Sequence, residues 1–556
     1  MRRVKSSSWL RNMRPEAAYL LLPVLATVEI VSNLQPVQCA DTSGSEPDEG
    51  EFITSPTTEQ SRSKYGPSDI RPIDFSGLGQ DRGDILNDII TELSHRIQVE
   101  PELIELANLH ETLNQLLSTV TNSSIYKNLE TRLEFAPYAL SDHSNDHLIR
   151  ATTQELLDAA GYDHETHYVE STDGYITQII RMINPLADQS KLKQPPIAIY
   201  HGALVDTSQV LIGSTVQHHP EKWPRNVDVD GPITSWNRSL GFVLANNGYD
   251  VWLVATRGCN RFNQGHRTLN KPYSLYGPGV TRADIEAAFK YWDYTIDDVA
   301  VKEVPGQLDR IMELTDSPKI SIIGVSLSAA HTLAMLAELP EYSEKIHNYV
   351  VAIPPLSEYT SNIVLKAAYR IWRHFDYTTG TLLSETIFSP QAREVVYALS
   401  RSTTLRYTLF RALYNLISGP SALFNSLIEA NIVGHLFFPI SFRETQHLCQ
   451  ILSSNTFKKF DYGRAENLVR YGSPGAPEYD LSRVNPGENW FIIVGENDPF
   501  SNPDTIKSLI RRIGKAPYKY VVIPGNNHID GLLGVEADIK ATQPTLEFFE
   551  RFPYES

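Results

Sequence analysis

From about Ala151 onward, short apolar runs alternate with stretches of helical spacing. The runs are Ile197–Tyr200, Asp250–Val254, Ile320–Ile323, Tyr349–Ile353, Trp490–Val494 and Tyr520–Ile523. Near-continuous apolar runs bounded by turn residues suit a parallel sheet covered on both faces. Their alternation with helical patterns predicts a doubly wound α/β domain. Between Ile353 and Trp490 no such run occurs. That stretch reads as helical and aromatic-rich, Ala422–Phe442 included, and predicts a helical cap inserted into the α/β core. Upstream, from Asp84 to about Leu129, apolar residues recur at three- and four-residue spacing and predict two helices.

The first 39 residues read as an address. Arg2, Arg3, Lys5, Arg11 and Arg14 precede an apolar run from Ala17 to Val28, and Val37-Gln38-Cys39 supplies small residues for cleavage. This is the pattern of a secretory signal peptide. The run is short of the ~20 apolar residues that span a bilayer, so no stable membrane span is expected, with a signal anchor as the second reading. From Asp41 to about Ser68 the chain is polar and predicts a disordered spacer or propeptide. Asn122 and Asn237 head glycosylation sequons, which acquire meaning only in the secretory pathway.

Composition narrows the function. With 49 Lys+Arg against 66 Asp+Glu the formal net charge is −17, which argues against nucleic acid as the main partner. Three cysteines exclude a disulfide-built scaffold. Of these, Cys259 and Cys449 lie beyond the signal, and two separate buried thiols are the favoured reading of them over a bridge. No segment has metal-ligand spacing. His164-Glu165-Thr166-His167 is one residue short of the helical His-Glu-x-x-His pattern and reads as a polar strand approach.

The chemistry-bearing residues sit where the apolar runs end. Ile320–Ile323 leads into Gly324-Val325-Ser326-Leu327-Ser328, and Ala329–Leu339 reads as a helix stopped by Pro340. Strand, small residue, Ser, small residue, helix is a nucleophile-elbow pattern. A Ser nucleophile needs a base and a group to orient it. Asp498 follows the run ending at Val494, and His528 follows the run ending at Ile523. The order Ser, acid, His is that of an α/β hydrolase. An oxyanion donor is expected after an early strand, and Ile197–Tyr200 runs directly into His201-Gly202-Ala203. Taken singly, each of these positions is also compatible with an ordinary turn.

Several longer blocks carry a resemblance. They are Val169-Glu170-Ser171-Thr172-Asp173-Gly174-Tyr175, His201–Ser208, Asn237–Ala245 continuing through Gly248–Leu253 to Thr256-Arg257-Gly258, Tyr291–Ala300, Phe460–Gly463 and Pro477–Leu481. With them the chain from about Thr152 to Phe552 resembles the acid lipase family of α/β hydrolases. The family includes lysosomal acid lipase, gastric lipase and related steryl ester hydrolases. The resemblance implies Ser326 as nucleophile, Asp498 as acid and His528 as base. It implies the amides of Ala203 and Leu327 as oxyanion hole, and no cofactor or metal. The substrate it implies is a neutral lipid, triacylglycerol or steryl ester, met at a lipid–water interface beneath the cap.

On this reading the chain divides into a signal peptide (1–39), a spacer (40–68), a helical extension (69–150), core (151–354), helical cap or lid (355–488) and core again (489–556). A secreted or lysosomal glycoprotein is expected. Two other readings stay open: a weakened member that binds lipid, and a carboxylesterase of small esters. The chain departs from the family's His-Ser-Gln-Gly at Val325, Leu327 and Ser328, and from its Asn-Ser before Arg-Gly at Ala255 and Thr256.

Overall fold

The computed structural model describes residues 149–213, 239–272, 275, 280–356, 377–388, 393, 411–421, 429–454, 456–486, 489–501 and 503–555. The signal peptide, the spacer, the extension up to residue 148 and the two sequons at Asn122 and Asn237 lie outside the described residues. Of the described residues, Tyr462–Gly475 belong to a second unit, with one helix at Arg464–Tyr471. The sheet and the helices that cover it belong to the first unit.

Among the described residues nine strands form one sheet: β1 (Asp163–Glu170), β2 (Tyr175–Ile183), β3 (Lys193–Tyr200), β4 (Tyr249–Val254), β5 (Gly265–His266), β6 (Ile320–Val325), β7 (Ile346–Ala352), β8 (Trp490–Gly495) and β9 (Lys519–Ile523). The order across it is β1-β2-β4-β3-β6-β7-β8-β9, with β5 paired to β2. From β4 to β9 all neighbours are parallel; β1, β2 and β5 add an antiparallel edge. This is the mostly parallel sheet of an α/β hydrolase.

Every residue of β4, β6 and β8 is buried. Side chains alternate between the faces of a strand, and the two faces feed separate cores. Trp252, Val254, Ile322, Ile492 and Val494 pack on one side with helices α3 (Val304–Thr315), α4 (Leu327–Glu338) and α10 (Pro503–Ile513). Val251, Leu253, Ile323, Phe491 and Ile493 pack on the other with α1 (Thr153–Ala159), α2 (Leu240–Asn246) and α11 (Gln543–Arg551). Six apolar runs read from the sequence thus became β3, β4, β6, β7, β8 and β9.

The β1–β2 hairpin carried no such signal. Most of β1 is exposed or half-buried, and its Asp-His-Glu-Thr-His start lacks an apolar stripe. Pairing with β2 through the register Thr166↔Ile180 defines the strand instead. Between β7 and β8 the described chain is helical: α5 (Tyr377–Ile387), α6 (Arg411–Ser418), α7 (Glu429–Gly434) and α8 (Phe442–Ser454). The expectation of helix through Ala422–Phe442 needs correction. The helix ends at Gly434, Phe437 takes a φ of 65°, and the Phe438 N–H donates to the Leu204 carbonyl at 3.0 Å. A positive φ followed by Pro439 is incompatible with a continuing helix.

The turn of the hairpin is fixed by a buried cation. Arg257 grips Asp173 with both terminal nitrogens, at 2.9 and 3.0 Å, and its Nε is 2.6 Å from Glu303. Its guanidinium carbon lies 3.8 Å from the ring centroid of Tyr175. Burial pushes the Glu303 carboxyl up, and the Arg257 charge opposes that. Arg257→Met leaves two carboxylates without their buried partner. Breaking such a pair costs about 3–5 kcal/mol. A urea midpoint for the variant indistinguishable from wild type would show that the network contributes nothing to the fold.

Candidate active site

Parallel pairing decides which loops meet. Tyr200 is opposite Val254 and Gly324, Val325 is opposite Ala352, Ala352 is opposite Ile493, and Gly495 is opposite Ile523. Strand ends held in register release their loops at one edge of the sheet, the usual place for ligands in open α/β sheets. His201-Gly202-Ala203, Ser326, Asp498 and His528 all follow those ends.

Between β6 and α4 the chain turns on one residue. Ser326 has φ 52° and ψ −119°, a sparsely populated backbone state for a side-chain-bearing residue. Its N–H donates to the Ala352 carbonyl at 2.9 Å. The helix starts at Leu327, two residues earlier than its sequence pattern indicated. The turn needs a small residue before it: a Cβ on Gly324 would come within 2.8 Å of Thr332 Oγ1 and 3.0 Å of Ala329 Cα.

Ser326 Oγ lies 2.8 Å from His528 Nε2, and His528 Nδ1 lies 2.8 Å from Asp498 Oδ2. The other Asp498 oxygen accepts from the N–H groups of Phe500 and Ser501, at 2.8 and 3.1 Å. A carboxylate that accepts from Nδ1 puts the imidazole proton there and leaves Nε2 to accept from the serine hydroxyl. The Asp498 side chain is sealed from solvent, while that of His528 is 13% exposed. Neither nearby carboxylate takes Asp498's place. Asp504 pairs with Lys507, and Asp530 faces Tyr414 and the Asn527 N–H.

The Gly202 backbone runs against the same serine. A Cβ on Gly202 would stand 3.1 Å from Ser326 Cβ, so this turn admits no side chain without a shift. Gly202 N–H donates to Gln209 Oε1 at 2.9 Å. Leu327 contributes the first N–H of α4, one of the four that an α-helix leaves without an intrahelical acceptor.

Residues that the sequence did not single out hold the His528 loop. The His528 N–H donates to Ser418 O and Asn527 Nδ2 donates to Gly419 O, both at 2.9 Å. Asn497 Nδ2 donates to Pro420 O at 3.2 Å. Tyr414 Oη donates to Asp530 Oδ1 at 2.9 Å. The segment after α6 therefore clasps the loops of both Asp498 and His528. Nothing in the local pattern around Tyr414 signals this, because its partners lie over 100 residues away.

Cys259 and Cys449 are both free thiols. Burial raises the Cys259 thiol well above its usual range and pushes Cys449 up to about 12, so neither is a nucleophile near neutral pH. Among the described residues no three His, Cys, Asp or Glu side chains gather as a metal site.

A family model described as a partial alpha/beta-hydrolase lipase region matches residues 153–213, the stretch from α1 past His201-Gly202-Ala203. The chain is 25% identical over 388 residues to Lipase 1 of Drosophila melanogaster, spanning 69% of this chain and 76% of that protein. It is 26% identical over 390 residues to gastric triacylglycerol lipase of Bos taurus, spanning 69% and 87%. It is 22% identical over 405 residues to triacylglycerol lipase 1 of Arabidopsis thaliana, spanning 72% and 91%. By these matches the chain is similar to lipases of the α/β-hydrolase superfamily, acid lipases such as the gastric enzyme among them.

The Tyr414–Asp530 contact generates a pH-dependent prediction. Burial raises the Asp530 pKa in the fold, so ionising it costs stability as pH rises through the raised value. Tyr414 favours the charged form and offsets that cost. Tyr414→Phe should therefore destabilise by about 1–3 kcal/mol above the Asp530 pKa. The loss should shrink as pH falls and Asp530 protonates. A stability difference that grows toward acid would refute this account.

Proposed function

We propose that this chain is a serine-dependent lipase that hydrolyses carboxylic ester bonds of neutral lipids through an acyl-enzyme. The observation that carries the reading is the hydrogen-bonded series Ser326–His528–Asp498 beside a strained strand-to-helix turn. Ser326 Oγ attacks the ester carbonyl carbon while His528 Nε2 takes its proton. Asp498 keeps the other ring proton on Nδ1 and stabilises the imidazolium that forms. The carbonyl oxygen, now negative, accepts from the N–H groups of Ala203 and Leu327. Collapse breaks the ester C–O bond, and His528 protonates the departing alcohol. Water then attacks the acyl-Ser326 carbonyl, giving a proton to His528, and collapse returns that proton to Ser326 and frees the acid.

The substrate class rests on the relatives, two of which carry triacylglycerol in their names, and on the apolar character of the insert. We read 151–354 and 489–556 as core and 355–488 as a helical cap over the site. The leader-like first 39 residues support a secretory route, secreted or lysosomal. No helix among the described residues is long and apolar enough to cross a membrane.

Ser326→Ala should lower ester turnover by about 10⁴ or more with folding intact. Asp498→Asn should cost on the order of 10⁴, since the histidine loses the charge that fixes its tautomer. An active-site-directed phosphonate should label Ser326 and no other residue. Label found elsewhere, or turnover preserved in Ser326→Ala, would move the chemistry to another residue.

Acyl length tests the substrate. Each CH₂ buried in an apolar cleft contributes about 0.8 kcal/mol until the cleft is full. Catalytic efficiency should climb from short to long esters and rise further on emulsified lipid. Preference for acetyl over oleoyl esters, without gain at an interface, would leave a small-ester hydrolase.

A further inference from the structure

We propose that Ser328, one of the departures from the family's pattern, is a positioning residue that sets the direction of the oxyanion-hole donor on Ala203; this rests on the hydrolase reading above. Ser328 is buried on the first turn of α4, immediately after Leu327. Its hydroxyl donates to the His201 carbonyl at 2.5 Å, across 127 residues of chain. The N–H at the other end of that same peptide plane, on Gly202, is held by Gln209 Oε1 at 2.9 Å. One plane is thus fixed from both ends.

The next plane is fixed by His201 itself. Its Nε2 accepts from the Thr256 N–H at 3.1 Å, so the ring proton sits on Nδ1, which is 2.8 Å from the Gly202 carbonyl. Burial holds the His201 pKa below its usual value, consistent with a neutral ring. In a trans peptide the C=O and the N–H point in opposite directions. Holding the Gly202 carbonyl therefore aims the Ala203 N–H. Ser328 anchors the base of this assembly to α4, the helix that also carries the Leu327 N–H. The two donors are in this way tied to one rigid element, and the spacing between them is set by a side-chain hydrogen bond.

A buried hydroxyl that only satisfied a carbonyl would affect stability alone. An aimed donor affects the transition state and leaves substrate binding untouched, because the oxyanion forms only as the carbonyl is attacked. The test uses the full-length secreted protein with Ser328→Ala and Ser328→Gly, the second bearing the family's residue and adding no bulk. Three readouts are compared with wild type: kcat and KM on a soluble p-nitrophenyl ester, affinity for a trifluoromethyl ketone that forms a tetrahedral adduct, and thermal midpoint.

We expect kcat about 10- to 100-fold lower with KM within about twofold, below the 10²–10³ seen when a donor is removed outright. Ketone affinity should fall in parallel with kcat/KM. In either variant that folds, wild-type kcat and ketone affinity overturn the proposal, whether or not the thermal midpoint drops. A loss confined to KM overturns it as well. A wild-type protein that neither cleaves the ester nor takes up a phosphonate at Ser326 overturns the hydrolase reading itself, a separate result.

Discussion

Close approach of α4 to β6 is the constraint on which the site depends. With Ala329 Cα 3.0 Å from where a Cβ would stand on Gly324, strand and helix leave no room for a gradual turn. The reversal falls on Ser326, whose positive φ lifts its side chain out of the strand's alternation. Holding a residue there costs on the order of 1–3 kcal/mol. That cost is met by the fully buried strand on one side and a helix with eleven buried residues from Leu327 to Ala337 on the other. Because β6 lies at the centre of the parallel run, the displaced hydroxyl faces loops from strands on both sides.

Much of this was legible in the chain. Apolar runs marked six strands because a doubly covered parallel strand has to be apolar along its whole length. Ser326, Asp498 and His528 were legible because each follows such a run, so the sheet's register brings them to one edge. The edge hairpin was not, since a strand half in solvent can be as polar as Asp163–Glu170 and still pair. The end of α7 was misread: the apolar density from Gly434 to Ser441 masked the stop that Pro439 imposes, and a long-range bond to Leu204 fixes the path the chain then takes. Sequence spacing records local periodicity, whereas these outcomes are decided by partners far away in the chain.

The same distinction separates the residues of the site. Ser326 and His528 announce themselves by position; Tyr414, Gln209, Thr256 and Ser328 do not, because each works through hydrogen bonds to a backbone, carboxyl or imidazole group that the local pattern does not reveal. Such groups carry weight because they are buried. A buried polar group left without a partner costs roughly 1–3 kcal/mol, so a network that satisfies every member has one arrangement far below the alternatives. The loops at this sheet edge are irregular in conformation, but they are anchored by bonds of that kind rather than by secondary structure.

Asp498 and Asp530 show how environment divides roles between two carboxylates near one histidine. Asp498 takes two backbone N–H groups on one oxygen and the imidazole on the other, so its charge is met from both sides. Asp530 is equally buried, but its bonds go to Ser421, Asn527 and Tyr414, none of which bears a charge, and burial raises its pKa. Asp530 instead braces the turn from below, through Asn527, the residue before His528. Two acids near the same histidine are thus told apart by what donates to them, a distinction that composition and spacing do not contain.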